Sequence, residues 1–193
     1  MNQLGNGLFG VKRHAERLSV LEAKLATDTR LGLSEDLLLG TKSNIALSQD
    51  HLGRTEEALG GYREVYTKAT ALYGISDERT AVALLNLSNF LDTHENNSEA
   101  ISLLRHRVPV LKNALGAEHE TYLKLCCTFG QALFREAGAS PGQHREAAEA
   151  RAEAVAILET ASRTSRRVFG PSHPITVDIE LVLTRARRRI LTK

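Results

Sequence analysis

Apolar residues fall at helical spacing in two stretches, Ala58, Tyr62, Val65, Ala69, Leu72 and Ala100, Leu104, Val108, Leu111, Leu115. Spacing of three and four puts each set on one face, so each stretch predicts an amphipathic helix. The two stripes lie 42 residues apart, and each ends at a glycine, Gly74 or Gly116. The same turn occurs around Gly32 and Gly170, giving intervals of 42, 42 and 54 residues, so the last unit carries a 12-residue insertion. A fixed period in this range predicts stacked helical units. A stripe cannot be satisfied alone in water, and stacking one helix pair on the next buries both.

Each glycine predicts a helix stop, because it takes the left-handed conformation of a C-terminal cap cheaply. Beyond the turns, Ser34, Ser76 and Ser172 are placed to cap a following helix, and Pro174 sits where a missing N–H does no harm. Glu57-Ala58, Glu99-Ala100 and Glu153-Ala154 each lie 17 residues before the next glycine and key the second helix of a unit. Asn44, Asn86 and Thr128 lie twelve residues past a glycine, in the first helix. Counting back 42 from Asn44 reaches Asn2, so the chain is expected to begin inside a first helix, with Gly5 to Gly10 as its end and loop.

One repeat domain over 1–193 follows: a partial repeat 1–32, repeats 33–74, 75–116 and 117–170, and a final helix 171–193. The insertion is expected to divide into about five loop residues around Gly138 to Gly142 and seven inside the next helix. That helix would start near Ser140 and Pro141, run to about Val168, and be the longest in the chain. Pro109, inside the second helix of repeat two, predicts a kink.

Composition agrees with helix. Hydrophobic residues make up 42% and there are only four prolines, enough core and few enough breakers for a folded helical chain. No apolar run is long enough to span a bilayer, and a basic-then-apolar signal segment is lacking, so no membrane contact and a cytoplasmic location are expected. The net charge of +2 hides a gradient: residues 163–193 carry a balance of +6 and the remainder −4. Such asymmetry bears on partners.

The pattern Asn-(Leu/Ile)-(Ala/Ser), then Gly, then Glu-Ala, then Leu-Gly-x-x-His-Pro-x-Thr resembles the tetratricopeptide repeats of the kinesin light chain type. Leu115-Gly-Ala-Glu-His119 and Phe169-Gly-Pro-Ser-His-Pro174 carry it best. Small residues facing a partner helix recur as Ala46, Ser88, Gly130 and as Ala58, Ala100, Ala154. Thr128 and Val182 depart from the Asn, and Arg107 stands where Ala is preferred. HEAT-type repeats share the period and lack the Gly-x-x-x-Glu-Ala loop. The resemblance implies an all-α, right-handed superhelical solenoid of antiparallel helix pairs, with 42-residue tetratricopeptide-like repeats. It also implies that Asn44 and Asn86 hydrogen-bond the backbone of an extended peptide, a task suited to an amide with both donor and acceptor. The competing use of these side chains is a bond between helices.

Register places Ser43, Asn44 and Leu47, then Leu85, Asn86 and Asn89, then Lys124, Thr128 and Gln131, and finally Arg185 and Arg188 on the inner wall. These are the candidate peptide-binding residues. Gly5-Asn-Gly7-Leu-Phe-Gly10 fits a dinucleotide fingerprint without the preceding strand that chemistry needs. The histidines do not sit at metal spacing. His119 and His173 belong to the recurring turn, where packing or capping explains them. Cys126 and Cys127 read as core or groove residues, since a bridge between helical neighbours is strained. No catalytic motif occurs, and no metal or cofactor is called for. Arg185-Ala-Arg187-Arg188-Arg189 fits a nucleic-acid patch, yet a basic last turn of a helix explains it more simply.

The expected function is a non-catalytic interaction module whose concave groove takes a protein or peptide segment, acidic at the end facing the arginines. The alternatives are a structural spacer within a longer array, or weak nucleic-acid contact through the last helix. Open repeat ends also offer a surface for end-to-end self-association.

Overall fold

The computed structural model describes residues 2–139 and 144–191. Eight helices and no strand occur among them: α1 Asn2–Arg30, α2 Glu35–His51, α3 Thr55–Tyr73, α4 Glu78–Thr93, α5 Asn97–Leu115, α6 Glu120–Ala139, α7 His144–Phe169 and α8 Pro174–Leu191. This is an all-α repeat fold. The chain divides into two compact units, Met1–Gly74 and Ile75–Lys193, with the division at the expected end of repeat one.

The glycine turns behave as helix stops through a particular conformation. Gly74 has φ 82° and ψ 168°, and Gly116 has φ 91° and ψ 153°. The φ is positive as expected, but ψ lies far from the left-handed helical value, in a region open essentially to glycine alone. Helix starts differ more. Ser34 occupies the cap position of α2 without a side-chain bond. At α4 the cap is Asp77 rather than Ser76, its carboxylate accepting from the Arg79 amide at 2.8 Å. At α6 the ring of His119 accepts from the Thr121 amide at 3.2 Å, and at α8 the His173 carbonyl accepts the first amides. At α4 and α8 the capping position therefore lies one residue beyond Ser76 and Ser172, whereas at α2 it is Ser34 itself.

In unit 1, α1 packs on α2 and α2 on α3. The expected helix end and loop over Gly5 to Gly10 are absent: α1 runs unbroken for 29 residues. Gly10 is followed by Val11, Lys12, Arg13, His14, Ala15 and Glu16, without the glycine that opens the Gly53 loop, so nothing interrupts the helix. Ala46 on α2 and Ala58 on α3 are fully buried, and Tyr62, Val65 and Ala69 continue the stripe. Leu72, in the last turn of α3, is half-exposed. Across the same two helices Glu35, Lys42, Glu64 and Lys68 close a ring of ion pairs. Lys42 Nζ lies 2.7 Å from Glu35 and 3.0 Å from Glu64, and Lys68 Nζ 2.7 Å and 3.1 Å from the same carboxylates.

In unit 2, α4 and α8 both pack on α6, which also carries α5 and α7. Small residues let these helices approach: Ser88, Ala100 and Ala154 are fully buried, and Gly130 lies against Leu158. Pro109 sits inside an uninterrupted α5. The insertion is divided differently from the expectation. With 26 residues α7 is seven longer than α5, as expected. However, α6 has 20 residues against 16 in α4, so four more extend α6 through Gly138 rather than forming loop. The expected start at Ser140 and Pro141 lies outside the described residues. Among the described residues α1 spans 29 and α7 spans 26.

Candidate functional site

The first helices of unit 2 bring most of the predicted residues together. Leu85 and Asn89 on α4, Lys124, Thr128 and Gln131 on α6, and Arg185 on α8 line one open cavity of about 390 Å³. Helix periodicity accounts for this, since residues 85, 89 and 92, or 124, 128 and 131, share one face. An adjoining cavity of about 380 Å³ is lined by Gln131, Phe134, Arg135, Val182, Arg185 and Arg188. Asn86 is half-buried on α4 outside both linings, and already has an interaction of its own. In unit 1, Ser43, Asn44 and Leu47 follow one another along α2, with Asn44 exposed and the other two half-buried. The Arg17 guanidinium on α1 donates to Asn44 Oδ1 at 3.0 Å. The bond between helices weighed for the asparagine is thus made, while its amide donors are not used there.

Polar chemistry in the unit 2 cavity centres on residues the sequence did not single out. Asp92, near the end of α4, is only 4% exposed. Gln131 Nε2 donates to its Oδ2 at 2.7 Å, Arg135 lies 3.2 Å from that same oxygen, and the Arg135 guanidinium also donates to the Asp92 backbone carbonyl at 2.7 Å. Burial raises the Asp92 carboxyl above its ordinary range, opposed by Arg135 and Gln131. Asp178 and Cys127 complete the wall. Burial above all, followed by the nearby Asp178, Cys126 and Asp92, pushes the Cys127 thiol up to about 12. Such a thiol is inert at neutral pH. Cys126 is core. One signal for Asp92 was present in the sequence: Asp50 occupies the same register 42 residues earlier.

The arginines of α8 separate by face. Arg185 is exposed and has no ion-pair partner among the described residues, and it lines both cavities. Arg188 lines the second cavity. Arg187 instead pairs with Glu159 of α7 at 2.6 Å. The Arg189 side chain lies outside the described residues. Elsewhere on unit 2, Arg166 pairs with Glu180 and Arg167 with Glu118, each at 2.6 Å, so much of the basic excess is internally neutralised.

Residues 146–175, across most of α7 and the turn into α8, match the family model of the tetratricopeptide repeat. No curated protein matches the sequence. Among solved structures, the nearly identical TPR-like repeats of a Podosopora anserina protein assigned as a kinesin light chain align at 17% identity with a TM-score of 0.70, covering 98% of this chain and 85% of that one. A glutamine-to-methionine variant of those repeats aligns at 17% identity with a TM-score of 0.72 and the same coverage. Residues 146–175 thus match one tetratricopeptide repeat, and the chain has an all-α repeat fold similar to that of kinesin light chain-type TPR-like repeats.

Proposed function

We propose that the chain is a non-catalytic protein–protein interaction module that takes an extended peptide segment along α4, α6 and α8 of unit 2. Tetratricopeptide repeats generally mediate contacts between proteins, and the observation that carries the reading here is the cavity lined by Leu85, Asn89, Lys124, Thr128, Gln131 and Arg185. Asn89 and Gln131 offer the amide chemistry that a peptide backbone needs. The adjoining pocket gathers Arg135, Arg185 and Arg188 around Phe134, and Arg185 has no ion-pair partner among the described residues. An arginine grips a carboxylate with two parallel N–H bonds, so an aspartate, a glutamate or a chain terminus of the ligand belongs there. On unit 1, Ser43, Asn44 and Leu47 form a separate proposed strip, with the Asn44 amide as its donor.

A peptide-library screen followed by charge reversal tests this reading. Reversal at Arg185 and Arg188 is expected to remove binding of acidic peptides, while reversal at Arg187, on the α7 side, leaves it intact. Equal losses from both changes, with steep salt dependence, would move the basic helix to nonspecific polyanion contact. No saturable peptide in the screen would leave a structural spacer.

A further inference from the structure

The two adjoining cavities of unit 2 differ in their charged groups. Arg135, Arg185 and Arg188 surround the second, whereas the first holds two carboxylates, Asp92 from α4 and Asp178 from α8. Two cations also line the first cavity, Lys124 and Arg185, but Lys124 Nζ is held by Glu120 at 2.8 Å. Arg185 is shared with the arginine pocket.

Asp92 is the unusual member. Its Oδ2 is occupied by Gln131 and Arg135, whereas its Oδ1 is buried and has no hydrogen-bond partner among the described residues. A buried carboxylate oxygen without a donor is costly, and buried polar groups are almost always paired. Gln131 and Arg135 serve the other oxygen, and the Thr128 hydroxyl is engaged by Asn89 Oδ1 and the Lys124 carbonyl. Apolar Leu85, Ile175, Leu181 and Val182 complete a wall suited to an aliphatic stem with a polar tip.

We propose that this cavity takes a cationic side chain of the ligand, the ammonium of a lysine or the guanidinium of an arginine, which donates to Asp92 with Asp178 as the second carboxylate. The inference rests on the peptide-binding reading of the same face and sharpens it. A ligand that fills both cavities carries a basic and an acidic residue close together, one for each cavity.

Small side-chain mimics test the cavity without the peptide. The intact chain is titrated with n-butylammonium and N-methylguanidinium, and separately with n-butanol and butyrate at matched ionic strength. The side-chain amide resonances of Gln131 serve as the readout. Both cations are expected to saturate, about tenfold or more tighter than n-butanol, as befits a hydrogen bond to a charged group. Asp92→Asn is expected to abolish that preference and Asp178→Asn to reduce it, with circular dichroism confirming the fold of each. Equal binding of n-butanol and n-butylammonium to the unsubstituted chain would overturn the proposal whatever the variants do. So would a folded Asp92→Asn chain that keeps the preference. Because no peptide is used, failure here leaves the interaction-module reading standing, and an empty library screen leaves the cavity result standing.

Discussion

The Thr128 hydroxyl on α6 donates to Asn89 Oδ1 on α4 at 2.7 Å. Two residues assigned to ligand contact from their register are therefore already joined to each other. The threonine that replaces asparagine in repeat three braces neighbouring first helices and orients the Asn89 amide. Thr128→Val keeps the shape and removes the donor. Its expected cost is about 0.5–1.5 kcal/mol, read as a lower urea midpoint with an unchanged slope.

Gly130 on α6 faces Leu158 on α7 at close range. A Cβ placed on it would lie 2.6 Å from Leu158 Cγ and 2.9–3.0 Å from both Leu158 methyl carbons. Leu158 is fully buried, so it can yield only by shifting against its neighbours. Gly130→Ala is expected to destabilise unit 2 by about 1–3 kcal/mol despite the better helix propensity of alanine. Thermal unfolding checks this, and a stabilised variant would show that the two helices part easily.

Glu95 has φ 60°, and stands 42 residues after Gly53, whose φ is 74°. The loop geometry is retained while the residue suited to it has been lost. Relief of about 1–2 kcal/mol of left-handed strain is partly offset by about 0.5–1 kcal/mol of added chain entropy in the unfolded state. Glu95→Gly is thus expected to stabilise by about 0.5–1 kcal/mol. A denaturant midpoint that fails to rise would place the strain elsewhere.

Lys42 and Lys68 hold the carboxyls of Glu35 and Glu64 below their ordinary range, through hydrogen bonds first and charge second. A folded-state pKa below the unfolded value contributes stability that is present above the unfolded value and lost as pH falls through the folded one. Unit 1 is therefore expected to weaken below about pH 4.3, by roughly 1 kcal/mol or less since the ring is partly exposed. Melting curves between neutral and acid pH, compared with Glu35→Gln, test the assignment. An identical acid dependence in that variant would exclude Glu35 as a source.

Local features were the legible ones. Gly74 and Gly116 end helices where the period puts them, and Ala46, Ala58, Ala100 and Ala154 lie buried at their assigned places. The seven residues added to α7 could be read because a helical face tolerates that number. The four added to α6 could not, since Gly138 and Pro141 signal a loop and do not say where a preceding helix yields to it. The site was legible as a face and hidden as a network. Asp92 meets Gln131 and Arg135 across 39 and 43 residues of sequence, and no periodicity announces which polar groups will be left without a partner. Asp77 took the cap from Ser76 because the turn ends one residue later than its spacing suggests.

The extra length of α7 has a consequence for how such arrays vary. Seven residues add about 10 Å of rise and turn the helix face by only about 20°. Four residues, as in α6, turn it by about 40° in the opposite sense. Reach and orientation are thus separately adjustable: lengthening by sevens extends an arm whose contacts need no redesign, whereas lengthening by fours swings its tip to a new bearing. A lineage of such repeats has two independent dials, and unit 2 has used both within a single helix pair.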